Sequence, residues 1–446
     1  MRALRPLTSL LCSTALLLLG HGMQLTLLPL RASQLGHSDL QIALAGAAYF
    51  AGFITGCLFA PPLIARVGHI RSFAVLASAM TGTLLFLSLS DLWPVWLLLR
   101  FLIGVLICSL YTVIESWLND QAGDRDRGQI LAVYTFLGLL AMAVGQQLVA
   151  LSPVLADTPF IILAALISLS VIPVGSTRGL APAPIESTQP RFRRLYRRSP
   201  AAFIAALLSG GIGGSFWSLA ALFARGTLAD TAEATRFMAA AVIGGALAQY
   251  PFGWLSDRAG TSRVLMLLFL LGAFGSASVA TTPAGPYLLP AVFAFGATTM
   301  PIYAMALATA ASRSRREEFV EIGTSVLLLN GLGAVLAPLV LGPLMQQLGD
   351  AALFWGCAAL CAAGLLLTVL ASLRPPRVDE PVPFAVASSA ATPTSLDLDP
   401  RAPEDASGDL APASEAPSIE DSLQQDDDGQ TDGEQESSDS AGGGPA

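Results

Sequence analysis

Gly253-Trp254-Leu255-Ser256-Asp257-Arg258-Ala259-Gly260-Thr261-Ser262-Arg263 has a worn copy 192 residues earlier, Pro61-Pro62-Leu63-Ile64-Ala65-Arg66-Val67-Gly68-His69-Ile70-Arg71. Both copies keep Arg-x-Gly-x-x-Arg and both sit between two long uncharged runs. Where the later copy has Asp257, the earlier one has Ala65. The same offset carries Gly52 to Gly244, Gly56 to Ala248, Gly104 to Gly296 and Tyr111 to Tyr303. Separate regions that repeat in one register predict a chain of two similar halves.

The runs on either side of these loops have the length of membrane spans. A spanning helix needs about 20 predominantly apolar residues. Stretches 6–30, 40–65, 72–90, 128–156, 158–177, 199–224, 237–256, 322–349 and 351–373 carry no charge, and 92–114 carries only Arg100. The uncharged stretch 264–312 is 49 residues long, and the breaker run Thr281-Thr282-Pro283-Ala284-Gly285-Pro286 divides it in two. The prediction is an all-α membrane protein of twelve transmembrane helices. It comprises a six-helix half (1–175), a basic central loop (176–199), a second six-helix half (200–373) and a disordered acidic tail (374–446). The first run is too long for the apolar core of a signal peptide and lacks a small-residue cleavage site, so it reads as helix one.

Composition agrees. Of 446 residues, 53% are hydrophobic and 13% charged, about half the charged share of a soluble domain. That disfavours a soluble enzyme or a nucleic-acid binder. The charge is also segregated: 17 of the 32 acidic residues, and one arginine, lie from Asp379 onward. The net −8 is therefore a property of the tail, and the body is basic. With the N-terminus inside, nineteen arginines fall in inside segments and three (Arg31, Arg225, Arg236) in outside loops. The positive-inside rule then places both termini and the central loop in the cytoplasm. The five cysteines lie in apolar stretches without a CxxC pair and read as packing residues; no metal site is expected.

The loop signature, the basic central loop and the two halves resemble the major facilitator superfamily over residues 7–373. Gly253 to Arg263 is similar to its loop signature G-x-L-[SA]-D-R-x-G-x-x-R. Arg100-x-x-x-Gly104 is similar to its helix-four arginine motif. Ile114-Glu115-Ser116-Trp117-Leu118-Asn119, Arg127-Gly128 and Gly145-Gln146 look like a subgroup of bacterial permeases without an assigned substrate. The resemblance implies a multi-pass inner-membrane transporter, expected to act as a monomer, with lipid bilayer and a small-molecule substrate as partners and no nucleic acid. No cofactor is expected, and coupling to protons or another ion is left open. In that family helices one, four, seven and ten line the central cavity, which marks His21, Gln24, Arg100, Tyr111, Trp217 and Tyr303 as lining candidates.

The residues add physical reasons. A charged turn fixed by a glycine can cap a helix end or pair across a gate. Arg66, Gly68, Arg71, Gly253, Asp257, Arg258, Gly260 and Arg263 are gate candidates on that ground, with positive-inside anchoring as the alternative. Glu115 reads as closing helix four, about 33 Å from Trp93 along the axis, where it can pair with Arg66 or Arg71 or carry a proton. Arg100 sits about 10 Å into the same helix, with function and snorkelling as rival roles. Beyond Glu115 no carboxylate falls within a span, which favours an anionic or neutral solute over a cationic one. The expectation is secondary transport by alternating access. Proton-coupled efflux of amphipathic compounds and a non-transporting receptor on a transporter fold are the alternatives.

Overall fold

The computed structural model describes residues 7–121, 127–176, 189–228, 230–314, 318–373, 392–397 and 399. Part of the central loop and most of the acidic tail, including Asp426 to Asp428, lie outside these, as do Arg125, Arg178, Arg315, Arg316, Arg374 and Arg377.

The described residues form helices and no strand. In chain order they are α1 (Thr8–Gln34), α2 (Asp39–Val67), α3 (His69–Ser88), α4 (Trp93–Gln121), α5 (Arg127–Leu148), α6 (Thr158–Leu169), α7 (Val171–Gly175), α8 (Phe192–Arg198), α9 (Pro200–Thr227), α10 (Thr231–Ala259), α11 (Thr261–Thr281), α12 (Leu288–Thr299), α13 (Pro301–Ala311), α14 (Phe319–Leu348) and α15 (Ala352–Ser372). Two of the crossings are broken. α6 passes into α7 at Ser170, and α12 into α13 at Met300, where Pro301 withdraws a backbone donor from the ladder. With those pieces joined, eleven helices are long and apolar enough to cross a membrane. α10 is 29 residues long but is not among them. Its second half carries Gln249-Tyr250-Pro251 and Gly253-Trp254, which dilute its hydropathy.

The core is apolar, but the outer surface is apolar as well and several charged and polar groups are buried. Phe59, Phe86, Leu98, Phe136, Leu247, Phe274 and Val340 face outward, while Arg31, Arg100, Glu115, His21 and Gln146 are buried. Lipid is as apolar as leucine, so the helices are held by close packing and internal polar contacts. A Cβ on Gly52 would strike the Phe101 carbonyl, and one on Gly104 the Tyr49 carbonyl, where α2 meets α4. At the 192-residue offset a Cβ on Gly244 would strike the Phe293 carbonyl, and one on Gly296 the Ala241 carbonyl, where α10 meets α12. Gly68 (φ 87°) and Gly260 (φ 89°) turn the chain between α2 and α3 and between α10 and α11. Both stand in left-handed conformations that a side chain rarely adopts.

The two ends of the bundle differ. One end, here the arginine-rich face, carries Gly68, Gly260 and α8. At the other, the far face, the helix groups α1–α7 and α9–α15 pack directly. A Cβ on Gly46 would meet the Ser218 hydroxyl across α2 and α9. One on Gly342 would lie 2.5 Å from the Ala43 Cβ across α2 and α14. Gln147 Nε2 donates to the Thr235 carbonyl (3.0 Å), tying α5 to α10.

Candidate functional site

A cavity of about 110 Å³ lies between the two helix groups at mid-depth. Its wall comes from α1, α2, α5, α9, α10, α12, α13 and α14. The wall is aromatic: Tyr49, Phe50 and Phe53 on α2, Phe216 and Trp217 on α9, Phe295 on α12 and Tyr303 on α13. The polar groups among them are His21, Ser209, Gln249, Thr299 and Asn330. No Asp, Glu, Lys or Arg is among the lining residues.

The glycine run of α9 has two jobs. Cβ atoms on Gly210 and Gly214 would strike the backbones of Asn330 and Ala334, so these glycines let α14 lie against α9. Gly213 has nothing within 4 Å of its Cβ position and opens onto the cavity. Asn330 secures the contact, its amide donating to Ser209 Oγ (2.9 Å) and to the Ala206 carbonyl (3.3 Å).

Of the six residues expected to line a cavity, His21, Trp217 and Tyr303 do. Gln24 stands one turn behind His21, its amide donating to His21 Nδ1 (3.0 Å), and its Oε1 is buried with no partner. Tyr111 lies behind the wall, its ring edge-on to His21 at 5.6 Å. Arg100 is separated from the cavity by Tyr49. Its guanidinium stacks on that ring (4.8 Å to the centroid) and borders a small pocket with Trp96 and Ser218 on the far-face side. α4 therefore supports the wall while α2 supplies it, since α2 fits between α4 and the cavity.

The loop-signature residues gather on the arginine-rich face. Arg66, Arg71, Asp257, Arg258, Gly260 and Arg263 are exposed there, and Gly253 is buried against the bundle. Arg263 Nη1 donates to the Ala259 carbonyl (3.3 Å) and so caps α10. Arg258 stacks on Trp254 at 3.7 Å. The worn copy uses other contacts: His69 Nε2 meets Ser116 Oγ (2.8 Å) and joins α3 to α4. α8 adds an ion network. Arg194 and Arg198 reach Glu318 (2.6 and 2.5 Å) and Arg191 reaches Glu321 (2.9 Å) at the start of α14.

Glu115 does not close its helix, which runs on to Gln121, and it is fully buried. Its partners are not the arginines that the sequence offered. Tyr134 Oη donates to Oε1 (2.9 Å), and Thr392, from the tail, donates its backbone N–H (2.9 Å) and its hydroxyl to Oε2.

A helical bundle with outward apolar belts, a mid-depth cavity and glycine-fixed charged turns on one face is the architecture of a membrane transporter. The model of the Major Facilitator Superfamily matches residues 10–317 and 202–402, and the chain belongs to that family. It is 28% identical over 371 residues to an uncharacterized MFS-type transporter, YcaD of Salmonella newport (strain SL254), covering 81% of this chain and 95% of that one. Among solved structures, a mutant form of the nucleoside transporter NupG superposes with a TM-score of 0.71 at 15% identity, over 82% of this chain and 100% of that one. A bacterial homologue of the human lysosomal transporter Spinster, solved inward-facing, superposes at 0.62 with 13% identity, over 83% and 95%. At such identities the likeness speaks for the fold.

Proposed function

We propose that the chain is a secondary active transporter that moves a small neutral or anionic solute across the bacterial inner membrane. It works by alternating access between two six-helix halves, α1–α7 and α9–α15, with α10 as the twelfth crossing and both termini in the cytoplasm. The repeat of contacts at one offset supports the two halves, and the arginine distribution supports the orientation, the arginine-rich face being cytoplasmic. The observation that carries the reading is a cavity built jointly by both groups of helices at mid-depth.

The solute is one that aromatic faces and a few amide and hydroxyl groups recognise. A wall with no carboxylate among its described residues offers a cation no countercharge. A neutral solute is favoured over an anion, because Tyr49 shields Arg100 from the cavity. The loop-signature residues act at the cytoplasmic gate. In right-side-out vesicles, Trp217→Ala is expected to slow uptake or release of the transported solute at least ten-fold with normal membrane insertion; unchanged flux would sink the cavity assignment. Reporter fusions after Arg198 and Arg377 are expected to report cytoplasm, and one after Ala284 the outside.

A further inference from the structure

On the far face helix packs on helix, whereas on the arginine-rich face a piece of the tail lies against both α4 and α14. Residues 392–397 fold into a turn around Pro393–Leu396. Ser395 Oγ donates to the Thr392 carbonyl (2.8 Å) and holds that turn together. The turn packs on both α4 and α14. Those helices have no extensive contact with each other among the described residues. Thr392, Thr394, Ser395, Leu396 and Asp399 are all buried. Leu396 lies over Gly323 of α14, in space that a Cβ would occupy. On the α4 side, Thr392 gives both its donors to the buried Glu115. A buried carboxylate needs such donors. A solvated tail would leave them to water.

We propose that this tail segment is an autoinhibitory plug: it docks between α4 and α14, takes Glu115 as its anchor, and closes the way to the cavity from the arginine-rich face. The docking stands on geometry alone, and its consequence, a brake on flux, rests on the transporter reading. The docking site is thus a receptor for a short Thr-Pro-Thr-Ser-Leu turn offering an N–H and a hydroxyl to one carboxylate. Release of the segment frees α4 and α14 to move relative to each other.

Thr392→Pro tests this in the full chain. It removes both donors at once, and because φ is −106° in the docked turn, away from the value of about −65° that the proline ring allows, it strains the docked conformation as well. In lipid nanodiscs, where both faces are open to solvent, hydrogen exchange at residues 394–397 is expected to be at least ten-fold faster in Thr392→Pro than in the unaltered chain. Thr392→Ser, which keeps both donors, should match the unaltered chain. A second readout needs no substrate. In a chain with its native cysteines replaced by alanine, Gly213→Cys places a thiol on the cavity. A charged methanethiosulfonate reagent is expected to label it at least ten-fold faster when Thr392→Pro is added. Exchange at free-peptide rates in the unaltered chain, or equal labelling with and without Thr392→Pro, overturns the plug. If both tests are passed yet the Thr392→Pro chain moves no solute in liposomes, the plug stands and the transporter reading falls.

Discussion

The two faces of the bundle are closed by different chemistry. On the far face, Gly46, Gly342 and their neighbours bring one group of helices against the other at backbone distance, and Gln147 adds one amide bond. On the arginine-rich face the bridging groups are long or come from outside the bundle: Arg194 and Arg198 on Glu318, Thr392 on Glu115. Close packing of small residues is lost steeply with any separation. Ion pairs with partly exposed arginines tolerate movement and are worth little each. The far face is therefore built to open as a unit, and the other to be loosened contact by contact.

The strongest way to break this contrast is to thicken the far face. Gly46→Val or Gly342→Val forces side-chain atoms into occupied space, with an expected loss of about 1–3 kcal/mol of stability. Thermal unfolding in detergent checks it, with Gly82→Ala in α3, which meets nothing within 4 Å and should stabilise slightly, as the control. Glu318→Gln on the opposite face should cost less, about 1 kcal/mol, because it weakens pairs with Arg194 and Arg198 that are about a third exposed. The difference from the unaltered chain should shrink as salt rises; a salt-independent difference would mean that packing of the side chain, not its charge, matters. The smallest effect concerns Asp350, in the far-face turn between α14 and α15. Burial raises its carboxyl above the ordinary range, the nearby Asp39 adds to the rise, and Arg225 opposes it. A carboxyl raised by folding costs stability once ionised, so the unfolding midpoint should fall as pH climbs from the ordinary carboxyl range up to that raised value and then level off. Asp350→Asn should flatten that slope.

The glycine contacts were legible in the sequence because a constant offset is a one-dimensional signal. The offset that paired Gly52 with Gly244 and Gly104 with Gly296 reappears as paired close approaches of α2 on α4 and α10 on α12. The glycines of the two signature loops reappear as left-handed turns. His21, Trp217 and Tyr303 could be placed on helices that reach the cavity. The α2 aromatics Tyr49, Phe50 and Phe53 could not, because an aromatic cluster in an apolar helix reads the same whether it faces a cavity, a neighbour or lipid. The four-residue spacing of the small Gly52 and Gly56 was the one hint that this helix packs tightly against a neighbour. Arg100 was read as cavity-facing since nothing in one dimension says that a ring stands in front of it. The docked stretch of the tail could not be read for a different reason. Its composition is that of a solvated chain, and a five-residue exception such as Thr392 to Leu396 leaves an acidic average unchanged. Glu115 carried the missing clue: a buried carboxylate needs donors, and Arg66 and Arg71, its expected partners, are exposed.

Flux through one cavity reached from alternate faces is the central claim, and locking the far face tests it. Ala43 and Gly342 are close enough for a cysteine pair to bridge after a small outward shift. Purified protein is reconstituted into liposomes loaded with a bacterial metabolite extract, and the solutes that leave are resolved by mass spectrometry. The expected result is at least one solute released faster through Thr392→Pro protein, whose plug is freed, than from protein-free liposomes. With Ala43→Cys/Gly342→Cys added and oxidised, that protein should retain the solute, and a reductant should restore its release. Release that the far-face disulfide leaves unchanged, or no release above the protein-free rate, would contradict alternating access in this chain.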